Sequence, residues 1–91
     1  MQTTDYFAKK RALPEQQHIR DDWIISTYMT PELRLKQSDG RFSLYGKISE
    51  MNNQYLRIIL LKDGKTVRDA FFVKSFNPRA AARRAKDRNS G

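Results

Sequence analysis

The spacing of apolar positions along this chain changes twice, and the changes separate a helical stretch, a sheet stretch and a polar tail. Residues 1–13 are polar and basic, with Tyr6, Phe7 and Leu13 expected to tack an N-terminal arm onto the rest. Pro14 suits the opening of a helix, where its fixed φ is favourable and its missing N–H has no partner to lose. From Glu15 to about Met29, residues Ile19, Trp23, Ile24 and Tyr28 recur at helical spacing and make one apolar stripe. Asp21 and Asp22 fall away from that stripe toward water. Thr30-Pro31 ends the helix, because a residue before proline is pushed out of the α region.

Beyond Pro31 the period becomes two. Leu33 and Leu35 alternate with Arg34 and Lys36, and Ser38-Asp39-Gly40 follows as a hairpin turn. In the next run Phe42, Leu44, Gly46 and Ile48 share one face, and Arg41, Ser43, Tyr45 and Lys47 share the other. Met51-Asn52-Asn53 makes a second turn. Tyr55 to Leu61 is almost continuously apolar, as in a central strand partly covered on both faces. Asp63-Gly64 supplies a third turn, and Thr66 to Ser75 a fourth strand. The expected architecture is α+β: an N-terminal helix packed on a four-stranded antiparallel meander, over residues 1–76. Asn77-Pro78 then reads as a new helix start, with Asn at the N-cap and Pro at the first position. The RAAARRAKDR segment after it has high helix propensity and little to bury, so residues 77–91 are expected to form a basic helical or flexible tail.

Composition narrows the function. Apolar residues make up 38% of the 91 positions, enough for one modest core. The longest apolar run, Ile58 to Leu61, is far too short to cross a bilayer, and the N-terminus lacks the apolar region of a signal peptide. A cytoplasmic protein without membrane contact is expected. There is no cysteine and only one histidine, which argues against thiolate or histidine-rich metal sites; neither a metal nor another cofactor is expected. Eighteen basic against ten acidic residues give a formal net charge of +8, a field that attracts polyanions.

That charge meets the strand pattern in a specific way. Arg41, Tyr45 and Lys47 alternate along one strand, Tyr55 and Arg57 along the next, and Lys74 closes the DAFFVK run. A sheet face bearing arginine, lysine and tyrosine is suited to hold phosphate and to stack bases, hence to bind RNA. Arg57 is the leading candidate, because a guanidinium offers parallel donors to phosphate oxygens. Its alternative is a salt bridge to Asp69 on the neighbouring strand. His18, the residue type whose unperturbed pKa lies nearest neutrality, is either a general base or a helix-start histidine hydrogen-bonded to backbone or packed on Trp23. Arg20 either contacts phosphate or is solvated, and Tyr45 and Lys47 either bind RNA or pair across the sheet. Trp23, Phe71 and Phe72 are expected in the core. No phosphate-binding glycine loop and no nucleophile elbow is present.

Four segments in order, HIRDDWI (18–24), SDGR (38–41), QYLRIILLKDG (54–64) and TVRDAFF (66–72), resemble small proteins of the RelE/ParE-like toxin superfamily, over about residues 5–76. The resemblance implies helices on a twisted antiparallel sheet and a toxin–antitoxin operon. It also implies a metal-independent endoribonuclease, often acting on messenger RNA at the ribosome. In such chemistry the RNA 2′-hydroxyl attacks the adjacent phosphate, and the protein deprotonates it, stabilises the phosphorane and protonates the leaving oxygen. Carried over by strand order, the family's basic pair falls near Tyr45 and Lys47, its central arginine on Arg57 and its last-strand cation near Lys74. The family's C-terminal tyrosine has no counterpart, since residues 77–91 contain none, which leaves His18 or Tyr45 for proton transfer. Arg41, Lys74, Arg20 and Arg79 complete the expected RNA contacts. The implied partners are RNA and an acidic antitoxin. Two alternatives stay open: a non-catalytic nucleic-acid-binding module, and a protein-binding subunit with an acidic partner.

Overall fold

Gly46, in the second strand, lets the helical layer come close to the sheet. A Cβ there would lie 2.5 Å from Thr27 Oγ1 and 3.0 Å from its Cγ2, so the helix carrying Thr27 rests on bare backbone. The computed structural model describes residues 1–90, with side chains through Ala85. Its elements are α1 (Asp5–Lys10), a 3-10 turn (Pro14–Gln16), α2 (Asp21–Met29), β1 (Leu33–Lys36), β2 (Phe42–Ile48), a second 3-10 turn (Ser49–Met51), β3 (Gln54–Leu60), β4 (Val67–Val73) and α3 (Pro78–Ser90). The strands form an antiparallel meander in the order β1-β2-β3-β4. The α+β architecture expected from the sequence is therefore the one observed.

One face of the sheet builds the core. Leu44 and Ile48 of β2, Leu56, Ile58 and Leu60 of β3, and Val67 and Ala70 of β4 meet Phe7, Ile19, Trp23 and Ile24 from the helical layer. Leu56, Ile58 and Leu60 are fully buried, and each such side chain contributes about 1.5–3 kcal/mol relative to exposure. Between Ile59 and Leu60 the register with β4 shifts, from Ile59↔Asp69 to Leu60↔Val67, and Arg68 is the extra residue of the bulge. The N-terminus covers that end of the outer strand: Val67 exchanges backbone hydrogen bonds with Gln2 and Thr4, each 2.9 Å. No helix among the described residues is long and apolar enough to cross a membrane.

Three sequence expectations are corrected here. The N-terminal arm contains a helix, α1, capped by the Thr4 hydroxyl, which accepts from the Phe7 N–H at 3.0 Å. Of the three side chains expected to anchor the arm only Phe7 is buried, since Tyr6 and Leu13 are exposed. The single helix expected over 15–29 is broken between Gln16 and Asp21. Arg11 accounts for the break: its guanidinium donates to the carbonyls of Gln16 and Ile19, both at 2.9 Å, and to the Asp21 carboxylate. Those carbonyls would otherwise serve the next helical turn. Finally, Phe71 is not in the core. It lies half-buried on the outer face opposite Arg57, whereas Trp23 and Phe72 pack on the core side as expected.

Gly46→Ala is expected to lower stability by about 1–3 kcal/mol, because a well-packed contact must open. Thr27→Ala added to it recovers part of the loss. Denaturant titration of the two single variants and the double variant measures both effects, and purely additive losses would show that the two residues do not share this contact.

Candidate nucleic-acid interface

The outer face of the sheet is organised in transverse rungs by strand register. Leu33, Tyr45, Arg57 and Phe71 are successive cross-strand partners and form one rung across all four strands. Leu35, Ser43, Ile59 and Asp69 form the next. Leu33 and Leu35 thus belong to this outer face, while Arg34 turns the other way and lies over the Phe42 ring, 4.6 Å from its centroid.

Arg57 stands in the middle of that first rung. Its guanidinium carbon is 5.7 Å from the ring centroids of both Tyr45 and Phe71, a cation held between two aromatic neighbours. Its Nε and Nη2 donate to the Ser43 hydroxyl at 3.1 and 2.9 Å. Ser43 is buried and donates its one proton to Gln37 Oε1 at 3.2 Å. A hydroxyl has one proton and two lone pairs, so this serine is fully used and its orientation is fixed. Two of the five guanidinium N–H groups are committed to it, and three remain. No carboxylate among the described residues pairs with Arg57. The alternative salt bridge to Asp69 does not form, because Asp69 sits one rung away opposite Ile59. It is taken instead by Lys10 of α1 at 2.8 Å and by the Ala70 N–H, and that pairing raises the Lys10 pKa.

Tyr45 is on the expected face yet is not presented to solvent. Phe76, in the link between β4 and α3, stacks on it with centroids 4.0 Å apart and planes 7° from parallel, leaving Tyr45 7% exposed. The same ring meets Tyr55 edge-on at 5.1 Å. The link turns at Ser75, whose φ of 53° is left-handed, and Asn77 then caps α3 by accepting from the N–H groups of Arg79 and Ala80. α3 runs over the β1 side of the face, so the basic segment expected as a tail is a wall of the site. Between α3 and the end of β1 lies a cleft of about 400 Å³, with Ser43, Tyr45 and Arg57 on its floor and Arg84 on its α3 side.

The other expected residues divide between the two faces. Lys47 lies one step from Tyr45 on the outer face, exposed, with its ammonium 5.8 Å from the Tyr55 ring. Lys74 follows β4 at that end of the sheet, also exposed. Arg41 lies at the opposite end beside Asp39, and Arg79 is exposed in the first turn of α3. His18 and Arg20 are elsewhere. The His18 ring is 6.0 Å from Phe72, and Arg20 pairs with Asp22 at 2.9 Å and lies over Trp23. Both sit on the helical side of the sheet, so the structure does not bring them together with Arg57. The break between Gln16 and Asp21 puts them there, and His18 packs on Phe72 rather than Trp23. Ser43, Gln37 and Phe76 are the residues that sequence reasoning missed. A serine diagonal to the strand arginine on the same face is a signal for the first; nothing local marks the other two.

Comparison with protein-family models, characterised proteins and solved structures finds no match to this chain.

The aromatic end of the face has a titration signature. Burial, first, and then the Glu32 carboxylate beside it push the Tyr55 phenol above its ordinary value of 10.0. The unfolded chain therefore loses this proton first as pH rises, and folding stability present below pH 10.0 falls through the pH range above it. Tyr55→Phe is expected to flatten that alkaline fall, measured by denaturant titration across pH. An unchanged slope would show that Tyr55 does not carry it.

Proposed function

We propose that this chain is an RNA-directed protein of the RelE/ParE-like toxin kind, which grips the backbone of single-stranded RNA at Arg57. The observation that carries this reading is the state of that guanidinium. It is held by Ser43 and flanked by Tyr45 and Phe71, with three donors uncommitted and no carboxylate partner among the described residues. A cation placed within a mostly apolar strand calls for an anion, and a phosphate accepts from two parallel N–H groups. The net charge of +8 supplies the long-range attraction. Lys47 and Lys74 at one end and Arg41 at the other extend the cationic path along the sheet. Under this reading the protein acts in the cytoplasm, and an acidic antitoxin neutralises it by covering the same face.

In its cleaving form, the RNA 2′-hydroxyl attacks the adjacent phosphorus and the 5′-oxygen leaves, Arg57 stabilises the charge gathering on the phosphorane, and the Tyr45 phenol, beside Arg57, transfers a proton. Two observations favour a non-catalytic form: the chain's single histidine lies on the other face, and Tyr45 is covered by Phe76.

Induced expression in a bacterial host, wild type beside Arg57→Ala, tests the cleaving form. Growth arrest with RNA fragmentation, relieved by the substitution in a folded protein, is expected if the chain cuts RNA. Intact RNA leaves the binding form, for which log K should fall with log salt at about −0.7 per phosphate contact, with Arg57→Ala lowering that slope by about one contact. Affinity that does not change with salt would overturn both forms.

A further inference from the structure

We propose that the cleft between α3 and the end of β1 is a subsite for a terminal phosphomonoester of single-stranded RNA, rather than a channel through which the strand runs. This rests on the binding form of the RNA reading, in which Arg57 takes the end phosphate, and adds which part of the RNA the cleft accepts.

Shape is the first argument. The sheet forms the floor, the end of β1 one wall and α3 the other. Phe76 lies flat on Tyr45 and edge-on to Tyr55, and so closes the cleft in the direction of Lys47. Because Phe76 leads directly into α3, that end and the α3 wall are one continuous piece of chain. A strand threading through would have to pass Phe76, whereas a chain end enters from the open side and stops there. The volume of about 400 Å³ lies at the low end of the range that encloses a small ligand, about 300–1,000 Å³, and suits one nucleotide rather than several.

Donor chemistry is the second. Three Arg57 N–H groups are uncommitted, and Arg84 brings a second guanidinium to the α3 side. Gln37 lines the cleft and uses its carboxamide oxygen on Ser43, while its NH2 group donates to no described protein acceptor. With Lys36 also lining the cleft, the set is rich in donors and in positive charge. A phosphomonoester offers close to two negative charges and three terminal oxygens at neutral pH, which match it. An internal phosphodiester has one charge and two such oxygens.

The test compares one short single-stranded RNA in three forms: hydroxyl ends, a 5′ phosphate and a 3′ phosphate. Binding is followed by calorimetry for wild type, Arg57→Lys and Phe76→Ala, with a nucleoside monophosphate and inorganic phosphate as small probes followed at the Arg57 Nε resonance. At least one phosphorylated end is expected to bind about tenfold or more tightly than the hydroxyl form, since paired charge-assisted hydrogen bonds are added. Arg57→Lys keeps the charge but loses the fork and should erase most of that preference. Phe76→Ala opens the closed end and should bring hydroxyl-ended RNA closer to the phosphorylated forms. Equal affinity of all three RNAs for wild type overturns the subsite and leaves the RNA reading standing. Binding of the monophosphate but of no RNA upholds the phosphomonoester site and rejects the RNA reading. A response to inorganic phosphate equal to that for the nucleotide overturns the nucleotide subsite, and no response to any probe overturns both proposals.

Discussion

Arg57 carries a full charge into the middle of a β-sheet, and the outer half of the molecule is arranged around that fact. Desolvating a guanidinium without partners is costly. Here the cost is met by a buried hydroxyl and two aromatic faces in place of a carboxylate. A carboxylate would have neutralised the group and ended its usefulness toward anions. Ser43 orients it without cancelling its charge, and Gln37 orients Ser43 in turn. Asp69, one rung away on that face, is engaged by Lys10 from α1. The N-terminal helix thus contributes to the electrostatics of a face that it does not cover.

The two faces of the sheet have different tasks, and strand alternation keeps them apart. On the helical side the contacts are apolar and close, with Leu56, Ile58 and Leu60 fully buried and Thr27 seated on the bare backbone of Gly46. On the outer side lie Arg57, Tyr45, Tyr55 and Lys47, and that side is closed only in part, by Phe76 and α3. A one-residue slip of β3 would exchange the two sets, placing Arg57 against Trp23 and Leu56 in the cleft. The seven-residue pairing of β2 with β3 excludes that slip, and so it fixes the fold and the candidate site together.

Much of this was legible in the sequence because strand period and turn chemistry are local. Asp39-Gly40, Asn52-Asn53 and Asp63-Gly64 marked the turns, and Gly40, Asn52, Asn53 and Gly64 do take positive φ. Alternation put Arg57 and Tyr45 on one face, whereas Phe71, expected in the core, stands beside Arg57 on that outer face. What could not be seen depends on side chains reaching across the chain. Arg11 breaks the expected helix through bonds to carbonyls five and eight residues away, and no periodicity reports such a contact. The spacing puts His18 in a continuous helix; the chain instead turns there, and His18 stays with the helical layer, against Phe72. Phe76 looked like the last residue before a polar tail. Its role depends on the left-handed turn at Ser75, a conformation that a serine does not announce.

The central claim is that the outer face, through Arg57, is the anion-binding surface of this protein. Titrating single-stranded RNA into isotope-labelled protein, with backbone amides and arginine Nε–H groups followed by NMR, tests it most directly. The largest shifts are expected on Arg57 Nε–H, Ser43 and the first turns of α3, while His18, Arg20 and α2 stay in place. Shifts confined to α1, α2 and the His18 region would contradict it and move the binding surface to the opposite side of the sheet.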